Sequence, residues 1–443
     1  HRPIPAKRRS TITTMDAPHL VTLHLRSFKS FKRQELPLSP LTMLIGRNAS
    51  GKSNTLDALS LLALLSSDRT LTDLDRDDPE VAGLRGGLSG CAPFNHGSID
   101  IGATIDLGDE TRATLDIELD PQRFEVLRER LRLSGGRNLT LIEATQHDVG
   151  SGLTTAKVYS GGSPKIFSML ANRMVTFQAT TRVPEDAKSR KLVVDVARRV
   201  IEVLSGIFVL DPVPSGMRSY VRLGTPPDRT GSSLSAQLHS LRSTPRLWER
   251  LVELVRSLVG ANATDLTFAE GRFPNASSPV DVMVALKEHG PDGDFLIPAS
   301  TMSDGTLRYL AILATLLIAR EADTPSRRSR TIVVEEIENG LFPDQASRIL
   351  SLLREEATNQ RVALITTTHS PALLDAVEPE DHEGIITVRR DENARSRLIP
   401  LIEHENYLRL VQTGRLGQEV ARGTLTANPT PTPTLRSIRD LIA

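Results

Sequence analysis

Apolar and polar residues alternate as VTLHLRS over residues 21–27, and a second apolar run, residues 41–45, stops at Gly46. Both patterns predict strands, because successive side chains on a strand point to opposite faces. After Gly51 the run SNTLDALSLLALLSS has helical spacing, so a glycine-containing turn lies between a strand and a helix N-terminus. Residues 98–119 read IDIGATIDL and TRATLDIEL around the turn GDE, a hairpin signature, and a further strand pair is expected between residues 138 and 159. A purely parallel sheet has no use for a hairpin, so an antiparallel layer is expected beside the strand-turn-helix unit.

Helical spacing returns at residues 184–204 and 245–259, the second holding the sole Trp248, with a Pro, Gly and Ser-rich connection over 211–233. Strand character at 281–286 precedes a helix over 303–320 and a loop with Arg327, Arg328 and Arg330. A short buried strand at 331–334, a helix over 343–358 and another buried strand at 361–366 follow. Strand, helix and strand in that order predict a parallel core. The tail beyond Leu425 contains NPTPTPT, a stiff extended linker ahead of a short final helix.

Composition changes this picture only by exclusion. With 443 residues, 39% hydrophobic and 24% charged, the chain can bury a core and is not a disordered polyelectrolyte. Its 54 basic and 54 acidic residues favour no partner, although nucleic acid needs only a local basic face. The one cysteine, Cys91, can form neither an internal disulfide nor a thiolate metal cage, which fits a reducing cytoplasm. No apolar run approaches the roughly 20 residues that span a bilayer, so a soluble protein without a membrane partner is expected. The first fourteen residues carry Arg2, Lys7, Arg8 and Arg9 with no acid and no apolar core; Met15 reads as a natural start, preceded by a tag or basic extension.

The turn Gly46-Arg47-Asn48-Ala49-Ser50-Gly51-Lys52-Ser53 matches the phosphate-binding P-loop pattern in full, in the required place between strand and helix. Two glycines let the backbone wrap a polyanion with its N–H groups inward, and the helix N-terminus adds a favourable dipole. Lys52 is expected to reach the β and γ phosphates of ATP, and Ser53 to offer its hydroxyl to Mg²⁺. The acidic strand end, Val334-Glu335-Glu336, points the same way. Adjacent residues on a strand face opposite sides, so Glu335 is expected in the metal shell and Glu336 as general base on the attacking water. His369 leaves the strand that ends at residue 366 in a polar turn, where it can hydrogen-bond the γ phosphate.

Ser303-Asp304-Gly305 alone is a helix cap with a turn glycine. Taken in order with residues 46–53, EEIENGLFP (335–343) and THSP (368–371), it resembles the ABC-type ATPase heads of the RecF and structural-maintenance-of-chromosomes (SMC) group. The likeness extends to the compact bacterial AAA-family ATPases of overcoming-lysogeny type, whose pattern the stretch LDPVPSGMR (210–218) also resembles. This implies an α/β P-loop NTPase of ABC architecture: a mixed sheet core, an antiparallel lobe and a helical insertion. The expected division is an N-terminal extension (1–17), a first head segment (18–183), a mostly helical insertion (184–260), a second head segment (261–402) and a tail (403–443). Asn54 joins residues 46–53 in the nucleotide-binding set. The resemblance also implies a homodimer, open to higher assembly, in which Ser303, Asp304 and Gly305 of one chain close over the ATP held by Lys52 of the other.

Some residues depart from the family pattern. Ile337 stands where Pro is common and Phe342 where His is frequent, and neither Gln122 nor Gln146 has the context of the glutamine that links metal to inserted lobe. Residues 160–300 lack the sustained heptads of a coiled-coil arm, and the tail has no room for a Toprim nuclease. The first functional expectation is therefore a Mg²⁺-dependent ATPase switch serving a separate effector, such as the nuclease of a Septu-like antiphage system. The second is a DNA-binding repair or recombination clamp. Residues 182–199 hold six basic residues against three acidic, and 122–137 five against two, so each is either a phosphate-tracking face or a solvated helix surface. A nucleotide-gated scaffold without turnover is the third.

Overall fold

The computed structural model describes residues 17–75, 84–94, 97–136, 138–146, 150–259, 262–271, 281–321, 330–340, 343–358, 362–413 and 416–421. The basic N-terminal arm, Arg327, Arg328, Phe342 and the NPTPTPT tail lie outside the described residues.

The chain opens on an antiparallel pair, β1 (His19–Phe28) and β2 (Phe31–Pro37), before the fully buried β3 (Leu41–Ile45) feeds helix α1 (Lys52–Leu65). An antiparallel meander follows: β4 (Ile99–Asp106), β5 (Arg112–Asp120), β6 (Glu125–Ser134), β7 (Leu139–Thr145), β8 (Leu153–Val158) and β9 (Lys165–Leu170). Helices α2 (Val175–Arg182) and α3 (Lys188–Ser205) lead to β10 (Ile207–Leu210), α4 (Pro214–Met217) and β11 (Val221–Arg222). Next come α5 (Leu234–Ser240), α6 (Pro245–Val259), β12 (Ala263–Gly271), β13 (Asp281–Gly290) and β14 (Gly293–Pro298). The last third alternates α7 (Asp304–Glu321), β15 (Arg330–Val334), α8 (Pro343–Thr358), β16 (Val362–Thr368) and α9 (Pro371–Asp375). It ends with β17 (Ile385–Arg390), β18 (Ser396–Pro400), α10 (Tyr407–Thr413) and α11 (Leu416–Ala421).

Among the described residues, fourteen strands form one sheet in the order β10-β15-β16-β3-β17-β18-β2-β1-β4-β5-β6-β7-β8-β9. The first five are mutually parallel and the meander is antiparallel, so the antiparallel region continues the core sheet rather than forming a separate layer. A smaller sheet joins β11, β13 and β12, with β14 on β13.

Parallel strands need cover on both faces, and the side-chain alternation supplies two cores. Leu44 of β3, Val333 of β15 and Ile365 of β16 enter one core with Leu56 and Leu59 of α1 and Val193 and Val200 of α3. Met43 and Ile45, Ile332 and Val334, and Leu364 enter the other with Leu310 and Leu313 of α7 and Leu353 of α8. A one-residue slip in any of these strands would exchange its cores, so the register is strongly specified.

Two stretches differ from the sequence pattern. The span expected as a helical insertion, 184–260, contains β10, which pairs with β15 and forms an edge of the parallel core. Within 122–137, residues 125–134 form a strand, β6, rather than a helix surface, and its Arg130 and Arg132 are ion-paired with Glu143 and Asp116 of the neighbouring strands.

Candidate functional site

Three adjacent parallel strands end at one edge of the sheet. Gly46 directly follows β3, Glu335 follows β15 and His369 follows β16, and the register Val334↔Thr366 and Thr368↔Ile45 keeps those ends together. Ligands of open α/β sheets bind at this carboxyl edge.

Sterics account for both glycines of the turn. Gly46 has φ +152°, and a Cβ there would stand 2.2 Å from the Val388 carbonyl oxygen; Gly51 has φ +117°, and a Cβ there would stand 2.3 Å from Ser396 Oγ. Ala49 also lies at positive φ, +62°. The underside of the turn is held by β18: Ser396 Oγ donates to the Ser50 carbonyl at 2.6 Å and lies 2.7 Å from Ser30 Oγ. Asn54 joins this buttress, its amide donating to Ser30 Oγ at 2.8 Å. Arg47 and Asn48 are exposed on or beside the turn.

Lys52 is buried and its Nζ donates to the carbonyls of Gly46 (2.6 Å) and Arg47 (3.2 Å). Burial lowers its pKa from the ordinary lysine value, against the opposing pull of Glu336, Glu338 and Glu335. One residue on, Ser53 Oγ donates to Glu335 Oε1 at 2.7 Å. Glu335 Oε2 is paired with Arg85 and lies 3.6 Å from Arg229. Arg229 in turn lies 3.9 Å from Asp211, whose carboxyl is pushed up by burial and by Glu335. Asp57, one helical turn after Ser53, is buried and takes a 2.7 Å ion pair from Lys29 and a 3.7 Å one from Arg85.

Glu336 adopts φ +47°, a conformation that costs a non-glycine residue roughly 1–3 kcal/mol and persists only where surroundings enforce it. Here its N–H donates to Thr367 Oγ1 at 2.9 Å while its carbonyl accepts from the Asn339 N–H at 2.9 Å. The bend turns the carboxylate toward His369, Nδ1 to Oε1 3.8 Å. Glu338 lies in the same turn: its Oε1 accepts from the His369 N–H at 2.9 Å, and its Oε2 is buried with no hydrogen-bond partner among the described residues.

Ser303 caps α7, its Oγ accepting from the Thr306 N–H at 3.1 Å, and Ser303 and Asp304 are exposed. Gly305 touches the turn that carries Glu336, since a Cβ there would stand 2.1 Å from the Gly340 carbonyl oxygen. Among the described residues, no hydrogen bond or ion pair joins Ser303, Asp304 or Gly305 to the phosphate turn of the same chain.

Thus the structure brings residues 46–53, Glu335, Glu336 and His369 together and leaves Ser303 and Asp304 exposed, with Gly305 half-buried against Gly340. Sequence reasoning missed Arg85, Arg229, Glu338 and Ser396, which belong to no local pattern; only the third acid of EEIE marked Glu338 at all. Gln146 is buried against Glu125 in the β6–β7 region, and Gln122 sits in a turn whose N–H groups bond Asp120.

Comparison with known proteins adds a family. Residues 41–375 match the family described as "AAA domain, putative AbiEii toxin, Type IV TA system". The DNA replication and repair protein RecF of Rippkaea orientalis is 33% identical over 140 residues, 31% of this chain and 34% of that protein. RecF of Picosynechococcus is 50% identical over 58 residues, 13% of this chain and 15% of that protein. The chain thus spans about a third or less of the length of these curated relatives. The Smc head domain of Pyrococcus yayanosii superposes with a TM-score of 0.45 at 14% identity, covering 89% of this chain and 99% of that one. The family match runs from the strand before the phosphate turn to the helix after the histidine, and on that extent the chain belongs to this AAA-domain family, as an ABC-type ATPase of the RecF/SMC-like group.

Proposed function

We propose that the protein hydrolyses ATP to ADP and phosphate in a head-to-head homodimer and that this cycle switches a partner effector. The observation that carries the reading is the shared edge where the Ser53–Glu335 contact and the Glu336–His369 pair stand beside Lys52. Glu336 takes the proton of the attacking water as its oxygen bonds to the γ phosphorus and the bond to the ADP oxygen breaks. His369 hydrogen-bonds a γ oxygen, and Lys52 with the inward N–H groups of residues 46–53 neutralises the triphosphate. The donors suit Mg²⁺: a hydroxyl and a carboxylate oxygen, both hard, lie 2.7 Å apart at Ser53 and Glu335. Mg²⁺ held there would offset the charge that develops on the phosphate oxygens.

The exposed Ser303 and Asp304, with Gly305 beside them, supply the reason for a dimer, because among the described residues the turn makes no bond to the phosphate turn of its own chain. The family description, a toxin of a type IV system, accords with an effector-coupled role in bacterial defence, with a nuclease in trans as the effector class. The RecF relatives, named for DNA replication and repair, favour a DNA clamp as the second reading. In either case the two basic stretches are poor DNA contacts. Arg130, Arg132, Arg190 and Arg198 are engaged by Glu143, Asp116, Asp186 and Glu185.

The test is phosphate release by wild type, Glu336→Gln and Lys52→Ala, with light scattering of Glu336→Gln in ATP. Losing the general base is expected to slow turnover about 10²–10⁴-fold and to trap a dimer. Turnover by Glu336→Gln within twofold of wild type, or a monomer in ATP, refutes the reading.

A further inference from the structure

The stretch LDPVPSGMR (210–218) leaves the end of β10 at the nucleotide edge and finishes at the outward turn before α7. Its start is fixed: the Asp211 N–H donates to the Arg229 carbonyl at 2.8 Å and the Val213 N–H to the Thr230 carbonyl at 2.9 Å. The loop supplying those carbonyls is itself organised by Asp228, whose carboxylate accepts from the N–H groups of Thr230, Ser232 and Ser233. Its far end is anchored by Met217, fully buried against Ala311 and Gly231, where a Cβ would stand 2.8 Å from the Met217 methyl.

Arg218 follows that anchor. Its Nη1 is shared among three carbonyls, Met302 at 2.8 Å, Ser300 at 3.1 Å and Ala299 at 3.4 Å, while its Nη2 donates to Asp304 Oδ1 at 2.6 Å. One planar cation therefore fixes the turn between β14 and α7 from both sides of Ser303. A charge-assisted fork of this kind holds geometry that a lysine, a compact point charge on a flexible stem, cannot reproduce. Among its described interactions none is with the phosphate turn of its own chain.

We infer that Arg218 is the positioning residue of the 303–305 turn and that its effect is exerted at the nucleotide held by the other protomer. The inference rests on the head-to-head reading above. It touches no reacting atom; it sets where Ser303 and the N-terminus of α7 stand when the second chain arrives, and a turn misplaced by about 1 Å is enough to cost turnover of order 10²-fold.

The experiment uses the full chain. Arg218→Ala should bind a fluorescent ATP analogue within twofold of wild type at protein concentrations that favour the monomer, because its phosphate turn is intact, while kcat falls at least tenfold. Arg218→Lys should not rescue kcat. Equal mixing of Arg218→Ala with Lys52→Ala, each at about a tenth of wild-type turnover or less alone, should restore about a quarter of wild-type turnover, since half the dimers are mixed and each mixed dimer keeps one intact site. The reference is an equal mixture of Ser303→Arg with Lys52→Ala. If the reference pair complements and the Arg218→Ala pair does not, Arg218 acts on its own site and the inference is overturned while the shared dimer stands. If neither pair complements, the head-to-head reading falls and takes this inference with it. Loss of nucleotide binding by Arg218→Ala alone, or full turnover by Arg218→Lys, also overturns it.

Discussion

Glu129 makes the stability of the protein depend on pH in a direction opposite to that of an ordinary paired carboxylate. It lies on the inner face of β6, fully buried, and accepts the N–H groups of Val175 at 2.7 Å and Thr176 at 2.5 Å, the first residues of α2. Burial raises its pKa from 4.5 to about 7, and the bonds from Thr176 and Val175 only partly oppose that rise. Below pH 4.5 the group is protonated in both folded and unfolded chains. Between pH 4.5 and about 7 the folded chain holds a proton that the unfolded chain has released, so stability falls as pH rises. The shift of 7 − 4.5 units, at 1.36 kcal/mol per unit, corresponds to about 3 kcal/mol lost across that window.

Glu129→Gln removes the titration and keeps the shape. Denaturant unfolding of both proteins at pH 5 and pH 8 isolates the effect, because every other group titrates equally in the two. At pH 8 the difference should have moved in favour of Gln by about 2.5 kcal/mol relative to pH 5, because part of the loss already lies below pH 5. An unchanged difference would mean that the helix N-terminus fully offsets desolvation at Glu129, and the reasoning fails.

Two further predictions concern the phosphate turn and the thiol. Gly51→Ala combines a positive-φ cost of about 1–2 kcal/mol with overpacking of about 1–3 kcal/mol against Ser396. Nucleotide binding should fall with thermal stability, and Ser396→Gly should relieve part of both; wild-type affinity in Gly51→Ala would refute the steric account. Cys91 is fully buried with its thiol pushed up to about 12 by desolvation, so it should resist an aromatic disulfide reagent in the folded protein and react once per chain in denaturant. Rapid native labelling would contradict that burial.

Much of the nucleotide edge is legible in sequence because its determinants are local. The glycine spacing of 46–51, the apolar runs before Gly46 and Glu335, and the helical pattern after Gly51 each lie within a dozen residues, and β3, β15 and α1 form where those patterns predict. The hairpin of β4 and β5 is equally local. What escapes depends on partners far along the chain. Arg85 meets Glu335 across 250 residues, and Ser396 meets Ser50 across 346. The arginines of β6 read as a basic patch until the register sets Asp116 beside Arg130 and Glu143 across from it, making a cross-strand charge lattice. A four-residue strand such as β10 has too few positions for a period to declare itself, and its role comes from pairing with β15.

The glycines at 305 and 340 bear on how the two ends of the machine are joined. Gly305 opens α7 in the outward turn; Gly340, at φ +78°, closes the turn that begins with Glu336 and holds Glu338 against His369. A Cβ on Gly305 would stand 2.1 Å from the Gly340 carbonyl oxygen, so two backbones touch where any side chain would part them. Backbone contact of this kind transmits displacement with little slack, because interiors are close-packed and do not deform continuously. Arg218 grips the same turn through the carbonyls of residues 299, 300 and 302. The turn is thus held both by the bend that carries Glu336 and by the stretch that runs from Asp211 to Arg218. On the reading proposed above, a shift of the Glu336 bend on loss of a γ phosphate would be taken up by the outward turn. In the proposed dimer, close packing at Gly305 would give a direct mechanical reason for hydrolysis in one site to be felt in the other.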